Sequence, residues 1–345
     1  MRRIKIAQIG TGHDHAPSAI RTLKLQSELY EVVGFAVVPE DDGNIPAMRY
    51  ENTRQAYEGV PQLTVEEILN YPGLDAVCIE TEDRALTKYA IMAARKGLHI
   101  HMDKAGGLSG EEFDRLIDLV EEKKLVFHVG YMYRYNPAVR KLKEEIQAGA
   151  LGQILSVEGQ MNCRHPLAKR QWLGNFPGGM LYFLGCHMID LVYSIMGEPQ
   201  EVIPLSCASG MDGTAVEDFG MAAFRYPTGV SFAKSTAIEK GGFERRQLVV
   251  VGTEGTVEFR PFEWSGKTEA NVLQPQVTTV RSCFSDGWQE KGELESSEVY
   301  GRYDGMLRAF ASYVRGEKEN PFSYEYERGL HRLLLKACAA EPEKI

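Results

Sequence analysis

Two glycines one residue apart follow the first apolar segment of the chain, and they narrow the possible folds more than any other feature. Ile4–Ile9 has the composition of a short buried strand and runs directly into Gly10, Thr11 and Gly12. In such a turn the first glycine permits a tight bend and the second lets the backbone approach a pyrophosphate, while the next helix points its amide groups at the phosphates. A second strand, Glu31–Val38, follows at the spacing of a strand–helix–strand unit. The segment therefore predicts half of a dinucleotide-binding fold.

Two histidines lie where the helix after this turn should begin. The third glycine of the usual motif falls on His15, so the motif is incomplete. We expect His13 and His15 near the phosphate or the nicotinamide of a bound cofactor. Their spacing is too short for two metal ligands on one helix face, and we expect no metal site.

Strands and helices alternate in the first third of the chain, which predicts a parallel sheet covered on both faces. The expected strands there are 4–9, 31–38, 75–80, 98–102 and 125–129, and the clearest helices are 84–96 and 110–124. After residue 130 the rhythm changes to an antiparallel meander flanked by helices. Its expected strands are 154–163, 216–226, 230–238, 246–251 and 256–260, with helices near 137–148, 179–196, 300–315 and 325–339. The sequence thus predicts an N-terminal domain of residues 1–130 and a C-terminal α+β domain of residues 131–345.

Composition excludes several classes of protein. The 345 residues fit two domains, and 43% apolar with 25% charged residues is typical of a soluble globular protein. A net charge of -9 argues against nucleic acid or an anionic membrane as the main partner. Six scattered cysteines form no C-x-x-C pair, and the chain opens in a core strand rather than a signal peptide. We therefore expect reduced thiols and a cytoplasmic location.

The cofactor type can be inferred from the residues after the second strand. NADP sites usually place an arginine near the 2′-phosphate, whereas here the segment from Val38 to Asp42 is acidic. NAD is therefore favoured over NADP, with Glu40 or Asp41 reaching the ribose. The other cofactor candidates are Val37, at the end of the second strand, Thr81, directly after the third, and Lys104, after the fourth.

Five segments in order resemble the glucose–fructose oxidoreductase, inositol dehydrogenase and rhizopine catabolism family (Gfo/Idh/MocA). They are 10–12, 101–105, 130–137, 178–190 and 252–256. The resemblance implies a Rossmann domain, a second domain with an open, mainly antiparallel sheet, and NAD(P)-dependent oxidation or reduction of sugars, polyols or related compounds. It also implies a homodimer or homotetramer in which the open sheets pack face to face.

The chain departs from the family pattern at three positions that have a functional role in the family. Ala105 stands where the family usually has a proline after the lysine, Phe183 stands where it has an aspartate, and Val37 aligns with its acidic residue. Phe183 has two interpretations. The loss of a carboxylate would make His187 a weaker base, or the ring would pack on a sugar face.

The candidate catalytic residues are Lys104, His187 and Asp190. Lys104 follows a parallel strand, where it could stabilise a developing alkoxide, and His187 could take the hydroxyl proton. Asp190 would either orient the imidazole of His187 or have a structural role. The residues that could contact substrate, besides His187, are Tyr131, Tyr133, Arg134, Arg164, Trp172 and Phe183. Arg164 and Trp172 belong to a basic segment, with His165, Lys169 and Arg170, that could bind an acidic or sugar substrate but is more often a solvated loop.

The leading hypothesis is an NAD-dependent oxidoreductase that acts on an alcohol carbon of a sugar, cyclitol or glycoside. One alternative is a non-catalytic regulator that binds nucleotide and sugar on the same fold. Another is an enzyme that uses transient oxidation to assist elimination or hydrolysis.

Overall fold

The computed structural model describes residues 2–43, 53–266, 272–288 and 291–339. The chain divides into two compact units. The first comprises Met1–Tyr131 and Tyr303–His331, and the second comprises Met132–Arg302 with residues 332–339 of the described chain. The sequence assigns residues 303–331 to the C-terminal domain, whereas in the structure they pack with the first unit.

The first unit contains a five-stranded parallel sheet in the order β2-β1-β3-β4-β5, which confirms the expected Rossmann-type fold. Its strands are β1 Ile4–Ile9, β2 Tyr30–Ala36, β3 Ala76–Ile79, β4 His99–Met102 and β5 Phe127–Val129. Its α-helices before residue 131 are α1 Ala16–Leu25, α2 Val65–Leu69, α3 Leu86–Arg95 and α4 Gly110–Glu122. Five of the six residues of β1 and all of β3 are buried, as both faces of such a sheet are covered.

Side-chain caps fix where these helices begin. The Ser109 hydroxyl accepts a hydrogen bond from the backbone N–H of Glu112 at 3.1 Å and starts α4. Thr64 and Glu67 form a capping box at α2, as the sequence predicts. The helix α4 then buries Phe113 and Leu116 on one face. These local signals explain why the helix starts could be predicted from the sequence.

A row of polar side chains crosses the middle of the parallel sheet. The register pairs Gln8 of β1 with Cys78 of β3, Cys78 with His101 of β4, and His101 with His128 of β5. All four side chains are fully buried, and Nδ1 of His101 lies 2.8 Å from Nδ1 of His128. Burial lowers the pKa of His101 to about 4, so this ring is neutral at neutral pH.

A second buried histidine makes the stability of the first unit depend on pH. His331 stacks on Phe113 at 4.1 Å between ring centroids, and its Nε2 lies 3.1 Å from the carbonyl oxygen of Gly107. Burial lowers the pKa of His331 from 6.5 to about 4. The unfolded chain therefore binds more protons than the folded chain between these values. This difference removes up to about 3 kcal/mol of unfolding free energy as the pH falls from about 6.5 to about 4.

Replacing His331 with glutamine should cancel this share of the acid sensitivity, because the amide can still donate to Gly107 but does not titrate. We expect His331→Gln to lose less unfolding free energy than the wild type across that pH window, as measured by urea denaturation. Parallel losses in the two proteins would contradict the assignment.

The second unit is built on an eight-stranded sheet in the order β15-β14-β11-β10-β6-β9-β8-β7. Its strands are β6 Ile154–Gln160, β7 Glu201–Pro204, β8 Phe219–Tyr226, β9 Gly229–Thr236, β10 Gln247–Gly252, β11 Thr256–Phe259, β14 Thr279–Cys283 and β15 Glu293–Ser296. A small sheet joins β12 Trp264–Ser265, β13 Pro275–Val277 and β16 Tyr300–Gly301. The open, mainly antiparallel sheet is confirmed, but a simple meander is wrong. The strand β6 lies between β9 and β10 and pairs parallel with β9.

The helices of the second unit include α5 Pro137–Gln147, α6 Leu167–Trp172 and α7 Cys186–Met196, with a π-helix at Leu181–Gly185 directly before α7. The last two helices of the chain are α8 Asp304–Val314 and α9 Tyr324–Ala337. A Cβ on Gly159 would lie 2.7 Å from the Cβ of Met188, so this glycine lets α7 pack closely on β6. Within the described ranges, every helix is too short or too polar to cross a lipid bilayer.

Candidate active site

The glycine turn after β1 has the conformation that the sequence predicts. Gly10 has a φ of 92°, and a Cβ there would lie 2.4 Å from the backbone nitrogen of Thr81. Thr81 is fully buried and packs against Gly10, so its side chain is not exposed for contact with a cofactor. Only glycine satisfies both the positive φ and the close approach.

The carboxylate of Asp41 lies directly on this turn. Its Oδ2 accepts hydrogen bonds from the backbone N–H of Thr11 at 2.8 Å and of Val38 at 3.1 Å, and its Oδ1 accepts one from Glu82 N–H at 3.3 Å. A Cβ on Gly12 would lie 2.5 Å from Oδ1 of Asp41, so the second glycine makes room for the carboxylate. Burial raises the pKa of Asp41, although these hydrogen bonds act to lower it.

The other two cofactor candidates after β2 are Glu40 and Val37. Glu40 is bonded to the Nζ of Lys88 and accepts a hydrogen bond from the hydroxyl of Tyr89 at 2.7 Å. Val37 is 39% exposed. Of the residues after β2, Asp41 therefore has the geometry to meet a ribose.

These residues fit a dinucleotide without a 2′-phosphate. The glycine turn, the N-terminus of α1 and the Asp41 carboxylate would hold the pyrophosphate and the ribose hydroxyls. The fit rests on Gly10 and Gly12, since a Cβ at Gly10 would clash with Thr81 and a Cβ at Gly12 would clash with Asp41, so this turn needs glycine at both positions.

Lys104 lies just beyond β4, at the carboxyl edge of the parallel sheet. Its side chain is buried, and its Nζ lies 3.5 Å from Oδ1 of Asp83. The peptide bond between Lys104 and Ala105 is cis. The position satisfies the sequence expectation of a lysine at the ligand-binding edge of the sheet.

Both histidines of the first turn meet acidic side chains. His13 is fully buried, with Nδ1 at 3.3 Å from Oδ2 of Asp103 and Nε2 at 3.5 Å from Oδ1 of Asp83. Burial opposes protonation, but these two carboxylates outweigh it and raise the pKa of His13. His15, at the start of α1, has Nδ1 at 3.0 Å from Oδ2 of Asp103.

The sequence did not identify Asp103, Asp83 or Glu80 as part of this site. Asp103 and Glu80 each follow a parallel strand directly, and that position was the available signal. Ligand atoms of His13, His15 and Asp103 lie within 4.8 Å of one another, as do those of Cys78, Glu80 and His101. Burial and the charge of Asp103 raise the pKa of Glu80 well above its usual range, which favours a protonated carboxyl beside the ionised one.

In the second unit, His187 lies on α7 and is almost fully buried. The ring of Tyr133 packs edge-on against it at 4.9 Å between centroids, and the Tyr133 hydroxyl donates to Oε1 of Glu263 at 2.6 Å. Glu263 also pairs with Arg246 and Arg302, whose charges hold its pKa below the usual value against the effect of burial. This network fixes the Tyr133 ring against His187.

Asp190 is held by Arg134, whose Nη2 lies 2.7 Å from Oδ1 and whose Nε donates to the same oxygen at 2.9 Å. Nε also donates to Oδ2 of Asp190 at 3.1 Å, and this buried ion pair joins α7 to the segment before α5. Both residues are buried, so the geometry favours a structural task for this pair.

Phe183 lies in the π-helix one turn before His187 and belongs to an aromatic cluster. Its ring is 5.3 Å from that of Trp172, and Nζ of Lys169 lies 4.2 Å from the Phe183 centroid and 3.5 Å from the Trp172 centroid. Lys169 is buried, and Trp172 Nε1 has no hydrogen-bond partner within the described part of the chain. The position that carries an aspartate in the family thus faces a cation–π cluster.

The basic segment is therefore not a solvated loop as a whole. Arg170 is buried and pairs with Asp212 and Asp218, whereas Arg164 is exposed. Tyr131, the remaining substrate candidate, is buried at the end of the first unit.

Comparisons with known proteins agree with this architecture. Residues 4–131 match the model of the oxidoreductase family with an NAD-binding Rossmann fold, and residues 139–258 match the GFO/IDH/MocA C-terminal domain. Levoglucosan dehydrogenase of Pseudarthrobacter phenanthrenivorans is 29% identical over 221 residues, which span 56% of this chain and 57% of that protein. The NADP(+)-dependent scyllo-inositol 2-dehydrogenase IolW of Bacillus subtilis is 24% identical over 328 residues, 88% of either chain.

Solved structures show the same fold. The UDP-N-acetylglucosamine 3-dehydrogenase GnnA of Acidithiobacillus ferrooxidans superposes with a TM-score of 0.73 at 18% identity, covering 99% of this chain and 98% of that one. An oxidoreductase of Thermotoga maritima, TM0312, gives a TM-score of 0.75 at 18% identity, with 98% and 96% covered. Since both domain models match in order over most of the chain, this protein belongs to the Gfo/Idh/MocA oxidoreductase family.

Proposed function

We propose that the chain is an NAD-dependent oxidoreductase that oxidises an alcohol carbon of a sugar, cyclitol or glycoside. The observation that carries the proposal is the Asp41 carboxylate on the Gly10–Gly12 turn, at the same carboxyl edge of the sheet as Lys104. The turn suits a dinucleotide, and the lysine suits an alcohol oxygen. Family membership and dehydrogenase relatives support the same activity.

Each candidate residue has a chemical task under this proposal. When bound, nicotinamide accepts the hydride from the alcohol carbon. Lys104 donates a hydrogen bond to the substrate oxygen, and His187 takes the hydroxyl proton. The rings of Phe183 and Trp172 offer an apolar surface for the C–H face of a sugar, and Lys169 between them favours an electron-rich group.

Absorbance of NADH, followed with a panel of sugars, cyclitols and glycosides, tests the activity. Formation of NADH with at least one of them supports the proposal. A protein that binds NAD but turns over none of the panel would instead be a nucleotide-binding regulator.

The position of Asp41 predicts that NAD binds more tightly than NADP, because a 2′-phosphate would meet its carboxylate. We expect a preference of about tenfold or more in Kd, equal to about 1.4 kcal/mol, measured by calorimetric titration. Asp41→Asn should reduce this preference. Glu40→Gln is the matched control and should leave it unchanged, because Glu40 is held by Lys88 and Tyr89. Tighter binding of NADP by the wild type would contradict the argument.

We further propose that the open sheet of the second unit is covered by another copy of this chain. Half-buried apolar side chains, Met221, Phe232 and Val249, lie on strands whose alternate residues are buried. Light scattering should then give a mass above 38.6 kDa, as for a homodimer or homotetramer. We place the protein in the cytoplasm, since its six cysteines are free thiols.

A further inference from the structure

A pocket at the amino edge of the first unit's parallel sheet is lined mainly by basic side chains. It encloses about 370 Å³, and its lining includes Arg2, Arg3, Asp75, His99 and Arg315. The strand order brings these residues together, because β1, β3 and β4 are neighbours and all begin at this edge. Arg315 directly follows α8, which belongs to the same unit. The pocket therefore lies at the edge opposite the one to which we assign the cofactor.

The lining of this pocket is positively charged, although the chain as a whole is acidic. Three arginines and one aspartate give the lining a formal charge of +2 with a neutral histidine, whereas the net charge of the chain is -9. The carboxylate of Asp75 accepts hydrogen bonds from Arg2 at 2.6 and 2.9 Å and from the backbone N–H of Lys5 at 2.8 Å. This pairing leaves Arg3 and Arg315 as the cations of the lining that Asp75 does not neutralise.

The carboxylates that meet Arg3 and Arg315 lie outside the lining and hold them weakly. Arg3 lies 3.3 Å from Glu31, and the two side chains are 50% and 41% exposed. An exposed pair of this kind contributes little to stability. The Nη1 of Arg315 lies 3.7 Å from Oε1 of Glu317, which is longer than a hydrogen bond. A phosphate group forms stronger, charge-assisted hydrogen bonds with a guanidinium and can compete with both contacts.

Two further N–H groups of the lining are suited to an acceptor. Nε of Arg315 is buried and has no hydrogen-bond partner in the part of the chain that the structure describes, while its Nη2 donates to the carbonyl oxygens of Arg2 and Leu29, each at 3.3 Å. A buried donor without a partner is destabilising, so an acceptor at this position would be favourable. Nδ1 of His99 accepts a hydrogen bond from the backbone N–H of Val126 at 2.9 Å, which places the proton of the neutral ring on Nε2.

We propose that this pocket binds a phosphate group, either as free phosphate or as part of a phosphorylated metabolite. A phosphate monoester carries a charge of about -1.5 to -2 at pH 7 and three strong acceptor oxygens, which match the charge and the donors of the lining. Bound there, the phosphate joins Arg3 to Arg315 and fastens the end of α8 to the start of β1. The proposal does not depend on the proposed oxidoreductase function.

Calorimetric titration of the full chain with sodium phosphate, compared with sodium chloride at the same ionic strength, tests the site. We expect saturable binding with a Kd of about 1 mM or tighter, and a thermal unfolding midpoint that rises with phosphate concentration. Arg3→Gln should weaken binding by about tenfold or more, the contribution of one hydrogen bond to a charged group. Arg115→Gln is the matched control, because Arg115 is exposed on α4 and the substitution removes the same charge.

Arg315→Gln should weaken phosphate binding as well. If this variant does not fold, because Arg315 also holds the carbonyl oxygens of Arg2 and Leu29, Arg3→Gln decides alone. Unchanged binding in Arg3→Gln would place the phosphate elsewhere, for example on the Gly10–Gly12 turn, and would overturn the proposal. Phosphate that acts no differently from chloride on the wild type would overturn it too.

A second titration, with glucose 6-phosphate, separates the two sources of the phosphate group. Binding that is tighter than that of inorganic phosphate and is weakened in Arg3→Gln would identify a phosphorylated metabolite as the ligand. Equal or weaker binding of the ester would identify free phosphate, provided that inorganic phosphate itself responds to Arg3→Gln and not to Arg115→Gln.

Discussion

Replacing Lys104 or His187 with alanine is expected to remove most of the turnover and leave NAD binding nearly intact. For His187→Ala the expected loss in kcat is roughly 10²–10⁴-fold, the usual contribution of a general base. Lys104→Ala should lose turnover as well, because a hydrogen bond to a developing alkoxide acts mainly in the transition state. Binding should persist, since the proposed dinucleotide contacts lie on Gly10, Gly12 and Asp41.

The measurements are initial rates of NADH formation and calorimetric titration with NAD. Lys96→Ala is a suitable control, because this lysine is exposed and its Nζ donates a hydrogen bond to Oδ1 of Asn70 at 2.7 Å. If both alanine variants keep the wild-type rate, the assignment of Lys104 and His187 is wrong. The reacting groups would then have to be sought among Tyr131, Tyr133 and residues 164–172.

Gly10→Ala is expected to weaken dinucleotide binding strongly and to destabilise the first unit. The new Cβ would meet the backbone nitrogen and Cα of Thr81 at 2.4 and 2.5 Å, and β1 would have to shift to relieve the contact. Gly97 provides a matched control, because its φ is 78° but nothing lies within 4 Å of a Cβ there. Gly97→Ala should cost only the conformational penalty of about 1 kcal/mol.

Urea denaturation and NADH fluorescence titration compare the two variants. We expect Gly10→Ala to lose clearly more unfolding free energy than Gly97→Ala and to lose NADH affinity by about 100-fold or more, close to 3 kcal/mol. Equal stability losses with full NADH binding in both variants would show that Thr81 moves at little cost to accommodate the new Cβ. In that case the turn would not require glycine at position 10.

Asp41 and Glu40 show which part of the candidate site could be predicted from the sequence and which part required the tertiary structure. Both are acidic residues after the second strand, and the sequence cannot rank them. A 3₁₀ turn at Pro39–Gly43 directs Asp41 onto Thr11, while Lys88 and Tyr89 of α3 hold Glu40. The choice depends on which partners surround each side chain, and those partners lie about 30 or 50 residues away in the chain.

The carboxylates around His13 and His15 could likewise not be predicted from the sequence. His15 and Asp103 are separated by 88 residues, and only the order of strands in the sheet brings their two strand ends to the same edge. Phe183 is a similar case. Its two interpretations from the sequence concerned the basicity of His187 and packing on a sugar, and neither included the Trp172 ring and the Lys169 ammonium group that surround it in the structure.

What the sequence determined by itself was local. The period of the apolar residues, the caps at Thr64 and Ser109, and the glycine turn after β1 placed the elements of the first unit, because these signals act within one or two turns of the chain. The tertiary structure decided the pairing of β6 with β9 and β10, the return of residues 303–331 to the first unit, and the partners of Asp41, Asp103 and Asp190. Those features depend on contacts between residues far apart in sequence, for which neither spacing nor propensity carries a signal.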